Sequence, residues 1–340
     1  MPALYIQRLI DFHLTVNTGI ILIKPLSAHA SVWQVLVFAG GDGKNVFPSV
    51  VDFINGFYPT PLVRLDRFGD VWAKLEFFNP LSRSIKDRTV QFLLRKYLDS
   101  DLRGRFVFEA SSGNVAISLA ALANAYGFKY RAYVTKHLPE TTEMLLKVLG
   151  AEVVRVDREM IDEEFWHWVS EEAAKNEAIN LNQFENVDNP EGHYHVTGEE
   201  IVRQFRSIGK VPRVLIAGIG TGGHITGIAK RLRDEFGSIY VVGVEPAASS
   251  AIPGIKRLES GTRWVREVVN EVVDVSLEEA VRGVITVARG TGLLVGLSSG
   301  AVFQAFLRVR ERFGDVTYLL IFPDDIYKYV SIISRFVNPT

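Results

Sequence analysis

The sequence contains no cysteine, and this absence excludes several kinds of chemistry at once. Among its 340 residues there is no thiol that could form a disulfide, bind a metal as thiolate or act as a nucleophile. Seven histidines remain as potential metal ligands, and two of them, His193 and His195, lie close together in the chain. Neither an HExxH motif nor a carboxylate-rich loop accompanies this pair. We therefore expect no metal site and interpret both histidines as ordinary polar residues.

Net charge and long apolar runs are also scarce. Lys and Arg together number 38 and Asp and Glu 39, so the formal net charge is −1 and gives no general attraction to a polyanion. No apolar run reaches the roughly 18 residues that a membrane span requires, and the first residues lack a signal-peptide pattern. We expect a cytoplasmic protein that binds neither nucleic acid nor a membrane.

Short segments rich in β-branched residues alternate with helical patterns from about residue 59 onward. TPLVRL, VWAKLEF, RFVFEA, KYRAYVT and RVLIAGI are such segments, and apolar stripes such as NVAISLAALANAYG lie between them. Repeated strand–helix–strand order favours parallel sheets covered by helices on both faces. The predicted fold class is α/β, with two open, twisted, mostly parallel sheets.

The length of the chain suggests about two domains of the usual size. Turn-forming residues concentrate in NQFENVDNPEG, at 182–192, and we place a domain boundary there. The predicted domains are residues 51–185 and 186–340, with the possibility that part of 51–80 packs with the second domain. Residues 1–50 do not follow the alternation and are interpreted as an N-terminal extension.

A glycine-rich motif, GIGTGG at 218–223, lies between a predicted strand and a predicted helix. Glycines permit close approach of the backbone, and the free N–H groups of a helix N-terminus favour a phosphate. The motif satisfies GxGxxG, and Glu245 lies where a ribose-binding acid is expected, so an NAD-dependent dehydrogenase is one hypothesis. A turn that only packs a strand against a helix is the simpler interpretation.

Three further polar stretches follow predicted strands and precede predicted helices. They are SRSIKDR around Lys86, EASSGN ending at Asn114, and GLSSGA, which contains Ser298. Each stretch alone is typical of a surface lysine or a helix cap. In an open α/β sheet, however, ligands bind beyond the carboxyl ends of the strands. Together the stretches offer an amine, an amide, a hydroxyl and a phosphate site, which is the set that pyridoxal phosphate requires.

These motifs resemble those of the β-family, or fold type II, of pyridoxal-phosphate enzymes, which includes the cysteine synthases and cystathionine β-synthase. The resemblance extends over residues 47–331 and includes PTPLVRL, NPLSRSIKDR, EASSGN, NQFEN, GTGGHITG, VGVEP, GLSSGA and FPDDIYKYVS. Within the family the chain is similar to archaeal O-phosphoserine sulfhydrylases, which share VFPS, IPGIKRLESGTRW and SLEEA. The resemblance implies a homodimer with pyridoxal 5'-phosphate in the cleft between two domains.

The resemblance also implies which residues bind the cofactor. Lys86 is expected to form the Schiff base and to act as the catalytic base, and Asn114 to hydrogen-bond the ring hydroxyl. Ser298 is expected to face the pyridine nitrogen, where a neutral hydroxyl favours loss of a β-substituent over transamination. The residues expected to bind the cofactor phosphate are Gly220, Thr221, Gly222, Gly223 and His224.

A second set of residues matches substrate-binding positions of the family. Those for the amino-acid substrate are Ser111, Ser112, Gln183 and Phe184. A phosphate leaving group requires a nearby cation, and IPGIKR offers Lys256 and Arg257 side by side. The first of these positions is typically Arg in the phosphoserine enzymes, and Lys lacks its two-pronged donor geometry. A solvated pair of basic residues is the alternative interpretation.

The expected activity is that of a cysteine synthase, which makes L-cysteine from O-phospho-L-serine and sulfide by β-replacement through an aminoacrylate intermediate. An O-acetylserine sulfhydrylase, a β-synthase acting on serine, or a serine or threonine deaminase would use the same cofactor residues. A partner-binding homologue without activity is disfavoured, because Lys86, Asn114, the glycine loop and Ser298 are all present together.

Overall fold

The protein is described here by a computed structural model that covers residues 19–23, 34–38, 46–56, 58–98, 102–260 and 264–337. It forms two compact units, Met1–Pro59 and Thr60–Thr340. In the first unit, strand β1 pairs antiparallel with strand β2, and a short helix α1 follows. Their bounds are β1 Gly19–Ile23, β2 Gln34–Phe38 and α1 Val50–Gly56. The rest of the predicted N-terminal extension lies mostly outside the described residues.

The second unit contains two sheets. Their strands are β3 Leu62–Arg64, β4 Val71–Leu75, β5 Phe106–Ala110, β6 Lys129–Thr135, β7 Glu152–Val156, β8 Ile179–Asn180, β9 Val214–Gly218, β10 Tyr240–Pro246, β11 Glu271–Val275 and β12 Tyr318–Phe322. The larger sheet has the order β11-β10-β9-β12-β4-β3, and the smaller has the order β7-β6-β5-β8. All neighbouring strands are parallel except β3 and β4.

Helices connect the parallel strands, as such connections require. Their bounds are α2 Lys86–Leu94, α3 Asn114–Tyr126, α4 Glu140–Val148, α5 Glu163–Lys175, α6 Asp188–Gly192, α7 Glu199–Ser207, α8 Gly223–Phe236, α9 Leu277–Thr291, α10 Leu297–Phe313 and α11 Val330–Ile333. A π-helical stretch, His193–Gly198, joins α6 to α7, and 3-10 turns occupy Asp66–Phe68, Glu76–Phe78, Arg95–Tyr97, Leu258–Ser260, Val265–Glu267 and Tyr327–Tyr329. None of the described helices has both the length and the apolar character needed to cross a membrane.

The core lies on both faces of the larger sheet, because alternate residues of a strand point to opposite faces. In β9, Val214 and Ile216 pack with residues of α9 and α10. Leu215 and Ala217 pack on the other face with residues of α7 and α8. The five residues of this central strand are therefore all buried. The predicted α/β fold with helices on both faces is confirmed.

Strands β3 and β4 precede residue 80 in the chain but pair within the larger sheet. Val71–Leu75 of β4 lies directly beside Tyr318–Phe322 of β12. The smaller sheet is built only from strands between residues 106 and 180. The division into domains at residues 50 and 185 stays a prediction. Residues 60–80 contain β3 and β4, which belong to the larger sheet together with strands from the later part of the chain.

Candidate active site

Lys86 is the first residue of α2, and the polar run SRSIKDR forms a tight loop before it. The carboxylate of Asp87 accepts the backbone N–H groups of Leu81, at 2.8 Å, and Ser82, at 2.9 Å. The backbone N–H of Ile85 donates to the carbonyl of Pro323, just beyond β12, at 2.9 Å. Asp87 thus stabilises the loop from within, and the hydrogen bond of Ile85 connects the loop to the carboxyl end of β12.

The amine of Lys86 lies in an environment that favours its neutral form. Desolvation lowers its pKa from the ordinary 10.5 to about 8, and the negative charge of Asp324 opposes that shift. Its Nζ is 4.0 Å from the position that a Cβ on Gly220 would take. A lysine with a lowered pKa holds more free amine near neutral pH, which is the form that acts as a nucleophile or base.

The glycine loop between β9 and α8 has a backbone that only glycine accommodates. Gly222 precedes the helix with a φ of 87°, in the left-handed region. A Cβ on Gly223 would lie 2.0 Å from Oδ1 of Asn189, and one on Gly220 would lie 3.0 Å from the carbonyl oxygen of Gly254. The first N–H groups of α8 have no partner within the helix, so the loop presents donors at a positive helix end.

His224 adds a buried imidazole to the same helix N-terminus. Burial and the nearby positive charge of Lys86 lower its pKa to about 3, so the ring is neutral. Both ring nitrogens are buried and have no hydrogen-bond partner among the described residues. A neutral imidazole donates through one nitrogen, and an anion bound at the start of α8 would supply the missing acceptor.

Asn114 begins α3 and is held by a carboxylate that the sequence did not identify. Its Nδ2 donates to Oδ2 of Asp324 at 2.8 Å, and the hydroxyl of Tyr329 donates to the same oxygen. Burial raises the pKa of Asp324, whose other oxygen has no partner in the described part of the chain. The position of Asp324 directly beyond a buried strand, in FPDD, is the signal that could have found it.

Ser298 lies in the first turn of α10 and is buried. A Cβ on Gly254 would lie 3.9 Å from its hydroxyl oxygen. The carbonyl oxygen of Gly254 in turn lies against Gly220, which is next to the amine of Lys86. The structure therefore brings Lys86, the glycine loop and Ser298 into one contiguous region.

Ser111, Ser112 and Gln183 meet at the carboxyl end of β5. The hydroxyl oxygen of Ser111 accepts the N–H of Ala116 at 3.2 Å. The hydroxyl oxygen of Ser112 accepts the N–H of Thr135 at 3.2 Å. The amide of Gln183 donates to the carbonyl of Ala110 at 3.1 Å. The three predicted substrate-binding residues therefore lie at one sheet edge.

Asn189 connects this group to the glycine loop. Its Nδ2 donates to the carbonyl of Gln183 at 2.8 Å and to the hydroxyl of Thr221 at 3.0 Å. The predicted substrate residues and phosphate-binding residues are thereby joined through one buried side chain. Sequence reasoning noted NPEG only as turn-forming residues, and no local signal distinguishes this asparagine.

Lys256 and Arg257 are neighbours in the chain but contact different groups. The amine of Lys256 lies 4.5 Å from the ring centre of Phe184 and donates to the carbonyl of Ile161. Burial lowers the pKa of Lys256 to about 8. Arg257 pairs with Glu245 at 3.1 Å. Lys256 therefore lies against the predicted substrate residue Phe184, whereas Arg257 is engaged by a carboxylate.

His193 has both ring nitrogens within 2.9 Å of hydroxyl groups, those of Thr89 and Thr197. These contacts satisfy the ring and agree with its interpretation as an ordinary polar residue. One group of potential metal ligands, Glu163, His167 and Glu185, has ligand atoms within 4.8 Å of one another. The expectation that the protein has no metal site stays a prediction.

The family model described as pyridoxal-phosphate dependent enzyme matches residues 54–324. The chain belongs to the pyridoxal-phosphate-dependent enzyme family. Among its relatives, cysteine synthase B of Escherichia coli (strain K12) is 32% identical over 291 residues, which are 80% of this chain and 92% of that protein. N-(2-amino-2-carboxyethyl)-L-glutamate synthase of Ralstonia nicotianae is 33% identical over 285 residues, 78% of this chain and 82% of that protein.

Solved structures of two enzymes share the fold. O-ureido-L-serine synthase is similar with a TM-score of 0.78 and 27% identity, covering 87% of this chain and 97% of that one. A hydrogen sulfide-producing enzyme from Fusobacterium nucleatum is similar with a TM-score of 0.75 and 28% identity, covering 84% and 100%. The predicted cysteine synthase family, fold type II and the pyridoxal 5'-phosphate cofactor are confirmed.

The donor groups near Lys86 suit pyridoxal phosphate. A phosphate matches the free N–H groups of α8 and the unpartnered ring of His224. The dehydrogenase hypothesis is not favoured. Glu245, its ribose-binding candidate, instead accepts the N–H of Leu258 and pairs with Arg257. The GxGxxG match therefore lies in a loop beside the amine of Lys86.

Proposed function

We propose that this enzyme makes L-cysteine from O-phospho-L-serine and sulfide by β-replacement. The observation that carries the reaction type is the amine of Lys86, whose pKa is lowered to about 8, beside the glycine loop and close to Ser298. The similarity to cysteine synthase B supports the same conclusion. The choice of O-phosphoserine is supported by the buried cation of Lys256 against Phe184.

Bound pyridoxal phosphate supplies an electron sink for the pair released from the substrate's Cα–H bond. Lys86 would attach the cofactor through its amine, and that amine, when free, would take the proton from the substrate's Cα. Asn114 would hold the ring hydroxyl, and the neutral hydroxyl of Ser298 would contact the ring nitrogen. The residues that would hold the cofactor phosphate are Gly220, Thr221, Gly222, Gly223 and His224.

The substrate carboxylate is assigned to the edge of the smaller sheet. The hydroxyl oxygens of Ser111 and Ser112 accept backbone N–H groups, and that of Ser112 also lies 3.5 Å from the hydroxyl of Thr135, so each O–H can turn toward a carboxylate. Gln183 contributes an amide beside them, and Phe184 packs next to Gln183. This arrangement holds the amino-acid part of the substrate while the group on Cβ leaves.

Lys256, rather than Arg257, is proposed to neutralise the leaving phosphate. Its amine now donates to the carbonyl of Ile161, a neutral acceptor that a dianionic phosphate would outcompete. Arg257 pairs with Glu245 and with Asp274, at 3.5 Å, so moving it would leave those carboxylates without their cation. We therefore propose that Lys256 contacts substrate and that Arg257 supports the loop.

The test is the visible absorption spectrum of the cofactor-loaded protein, recorded with O-phosphoserine before and after sulfide is added. We expect the cofactor band to change with release of phosphate and to return when sulfide yields cysteine. Lys86→Ala should lack both the band change and turnover, whereas Lys175→Ala, an exposed lysine on α5, should behave as wild type. A band that responds to O-acetylserine or serine but not to O-phosphoserine would replace the substrate and leave the cofactor assignment intact.

The family resemblance also supports a homodimer in the cytoplasm, with residues 51–185 and 186–340 as its two domains. Sedimentation equilibrium of the loaded enzyme tests the first proposal. A molecular mass of one chain would contradict it.

A further inference from the structure

Glu109 is a fully buried carboxylate in β5, one residue from the end of the strand. Only 1% of its surface is exposed. One of its oxygens accepts the backbone N–H of Asn182 at 3.0 Å, and the other accepts the N–H of Gln183 at 3.3 Å. Hydrogen bonds to an ionised acceptor are stronger than those between neutral groups. The carboxylate of Glu109 therefore holds the backbone of Asn182 and Gln183, the first two residues of NQFEN.

The backbone that Glu109 binds has an uncommon conformation. Asn182 has a φ of 46°, in the left-handed region, which asparagine adopts more readily than most residues with a side chain. Its N–H is one of the two that Glu109 accepts, so the carboxylate holds this residue directly. The loop conformation is thus coupled to one buried acid on a neighbouring element.

Several contacts at the site depend on where Gln183 and Phe184 lie. The carbonyl of Gln183 accepts from Asn189, which also contacts the hydroxyl of Thr221. The ring of Phe184 stacks on Trp166, with 4.4 Å between ring centres, and lies beneath the amine of Lys256. A shift of the loop would therefore move the predicted carboxylate-binding amide and the platform under the predicted phosphate-binding cation.

We propose that Glu109 is a positioning residue for substrate binding, whose ionised carboxylate holds the backbone of Asn182 and Gln183 so that the Gln183 amide meets the substrate carboxylate. The role of Gln183 rests on the proposed function. The hold of Glu109 on the loop does not, and the two are tested separately.

The surroundings of Glu109 make this hold dependent on pH. Burial raises its pKa to about 7, against the opposing effect of the N–H donors of the loop. Besides those donors and the amide of Gln183, the facing titratable group is Tyr130 on β6. Its hydroxyl is buried without a partner among the described residues. Below pH 7 Glu109 gains a proton and becomes a weaker acceptor, which loosens the loop.

The decisive experiment compares wild type with Glu109→Gln by hydrogen exchange of peptides covering residues 179–187 and by steady-state kinetics of the loaded enzyme. Gln keeps the shape and loses the charge. We expect faster exchange in that segment and a KM for O-phosphoserine about tenfold higher, at nearly unchanged kcat, as loss of a charge-assisted hydrogen bond predicts. Tyr130→Phe removes the hydroxyl beside Glu109 but no recorded hydrogen bond, and should match wild type in both measurements.

A pH series on the wild type provides a measurement that needs no variant to fold. After correction for intrinsic exchange rates, exchange at residues 179–187 should accelerate between pH 8 and pH 6 relative to residues 129–135 of the same sheet. The KM should change less between pH 8 and pH 6 in Glu109→Gln than in wild type, because only the titration of Lys256 and of the substrate phosphate remains in the variant.

Two results would overturn the proposal. One is unchanged exchange at residues 179–187 both in folded Glu109→Gln and across the pH series. The other is a loss of kcat at constant KM, which would place Glu109 in the chemistry instead. If the wild type does not turn over O-phosphoserine, the proposed function fails, and the exchange data still decide whether Glu109 holds the loop.

Discussion

Arg88 and Glu76 form an ion pair with 2.7 Å between Nε and Oε2, and neither side chain has any exposed surface. The guanidinium of Arg88 also contacts Glu200, which pairs with the buried amine of Lys74. Arg88 lies two residues beyond Lys86 on α2. Buried charges thus hold the helix that carries Lys86 against the core.

Replacing Arg88 should destabilise the protein strongly. Arg88→Ala leaves Glu76 without its cation in the interior, and we expect the free energy of unfolding to fall by about 3–5 kcal/mol. Urea denaturation of the cofactor-free protein measures it. Arg312→Ala removes an ion pair whose arginine is 53% exposed and should lower the free energy of unfolding far less. Equal losses in the two variants would contradict the importance of the buried pair.

His224 should make the cofactor-free protein sensitive to acid. Its pKa is lowered to about 3 in the folded state. Below about pH 6.5 the histidine therefore binds a proton in the unfolded chain, whereas it stays neutral in the folded chain. Its contribution to stability is therefore complete above pH 6.5 and is lost as the pH falls, by about 1.4 kcal/mol per pH unit. Urea denaturation between pH 7 and pH 5 should show a shallower pH dependence in His224→Thr.

A second buried histidine limits that measurement. His193 also has a pKa well below its ordinary value because of burial, so part of the pH dependence should remain in His224→Thr. If His224→Thr keeps the full wild-type slope, His224 is not held neutral by the folded protein.

Lys256 should discriminate between substrates by their leaving groups. We expect Lys256→Met to raise the KM for O-phosphoserine about tenfold or more, because a charge-assisted contact to phosphate is lost, with little effect for O-acetylserine. Steady-state kinetics with both substrates provide the comparison. Lys230→Met alters a half-exposed lysine on α8 and should change neither value. Equal effects on the two substrates would remove Lys256 from phosphate recognition.

Asp324 should tune the amine of Lys86 in the cofactor-free protein. Its negative charge raises the pKa of Lys86 against the effect of burial, so Asp324→Asn should lower that pKa below about 8. The pH dependence of Lys86 modification by an amine reagent, followed by peptide mass spectrometry, reports this pKa. Asp325→Asn alters the next carboxylate, which pairs with Arg83, and should leave the midpoint nearer to that of wild type. An unchanged midpoint in Asp324→Asn would show that Asp324 does not act on Lys86.

The sequence was sufficient to predict the class of fold because its signals are local. The apolar run of the strand β9 and the apolar stripe in α3 are visible within a few residues. The neighbours of each strand are not local information. β12 pairs with β9 and also with β4, from which most of the chain separates it. The contact between the loop before Lys86 and the segment beyond β12 follows from this pairing and was not foreseeable.

The candidate site was predicted in its family motifs and missed in its supporting residues. The resemblance named Lys86, Asn114 and Ser298, since motifs carry them. Asp324, Asn189 and Glu109 act through side chains that meet only in the folded chain. Lys256 and Arg257 are adjacent basic residues that the sequence alone does not distinguish. In the structure they contact different residues, Phe184 and Glu245, which lie on different elements.

The position of β12 at the centre of the larger sheet also orders events during protein synthesis. Lys86 leaves the ribosome more than 200 residues before the strand Tyr318–Phe322 that adjoins its loop through Pro323. Until the segment beyond that strand is present, the N–H of Ile85, next to Lys86, lacks the carbonyl of Pro323 to which it donates in the folded chain. A chain that ends before this segment also lacks Asp324, whose negative charge raises the pKa of Lys86.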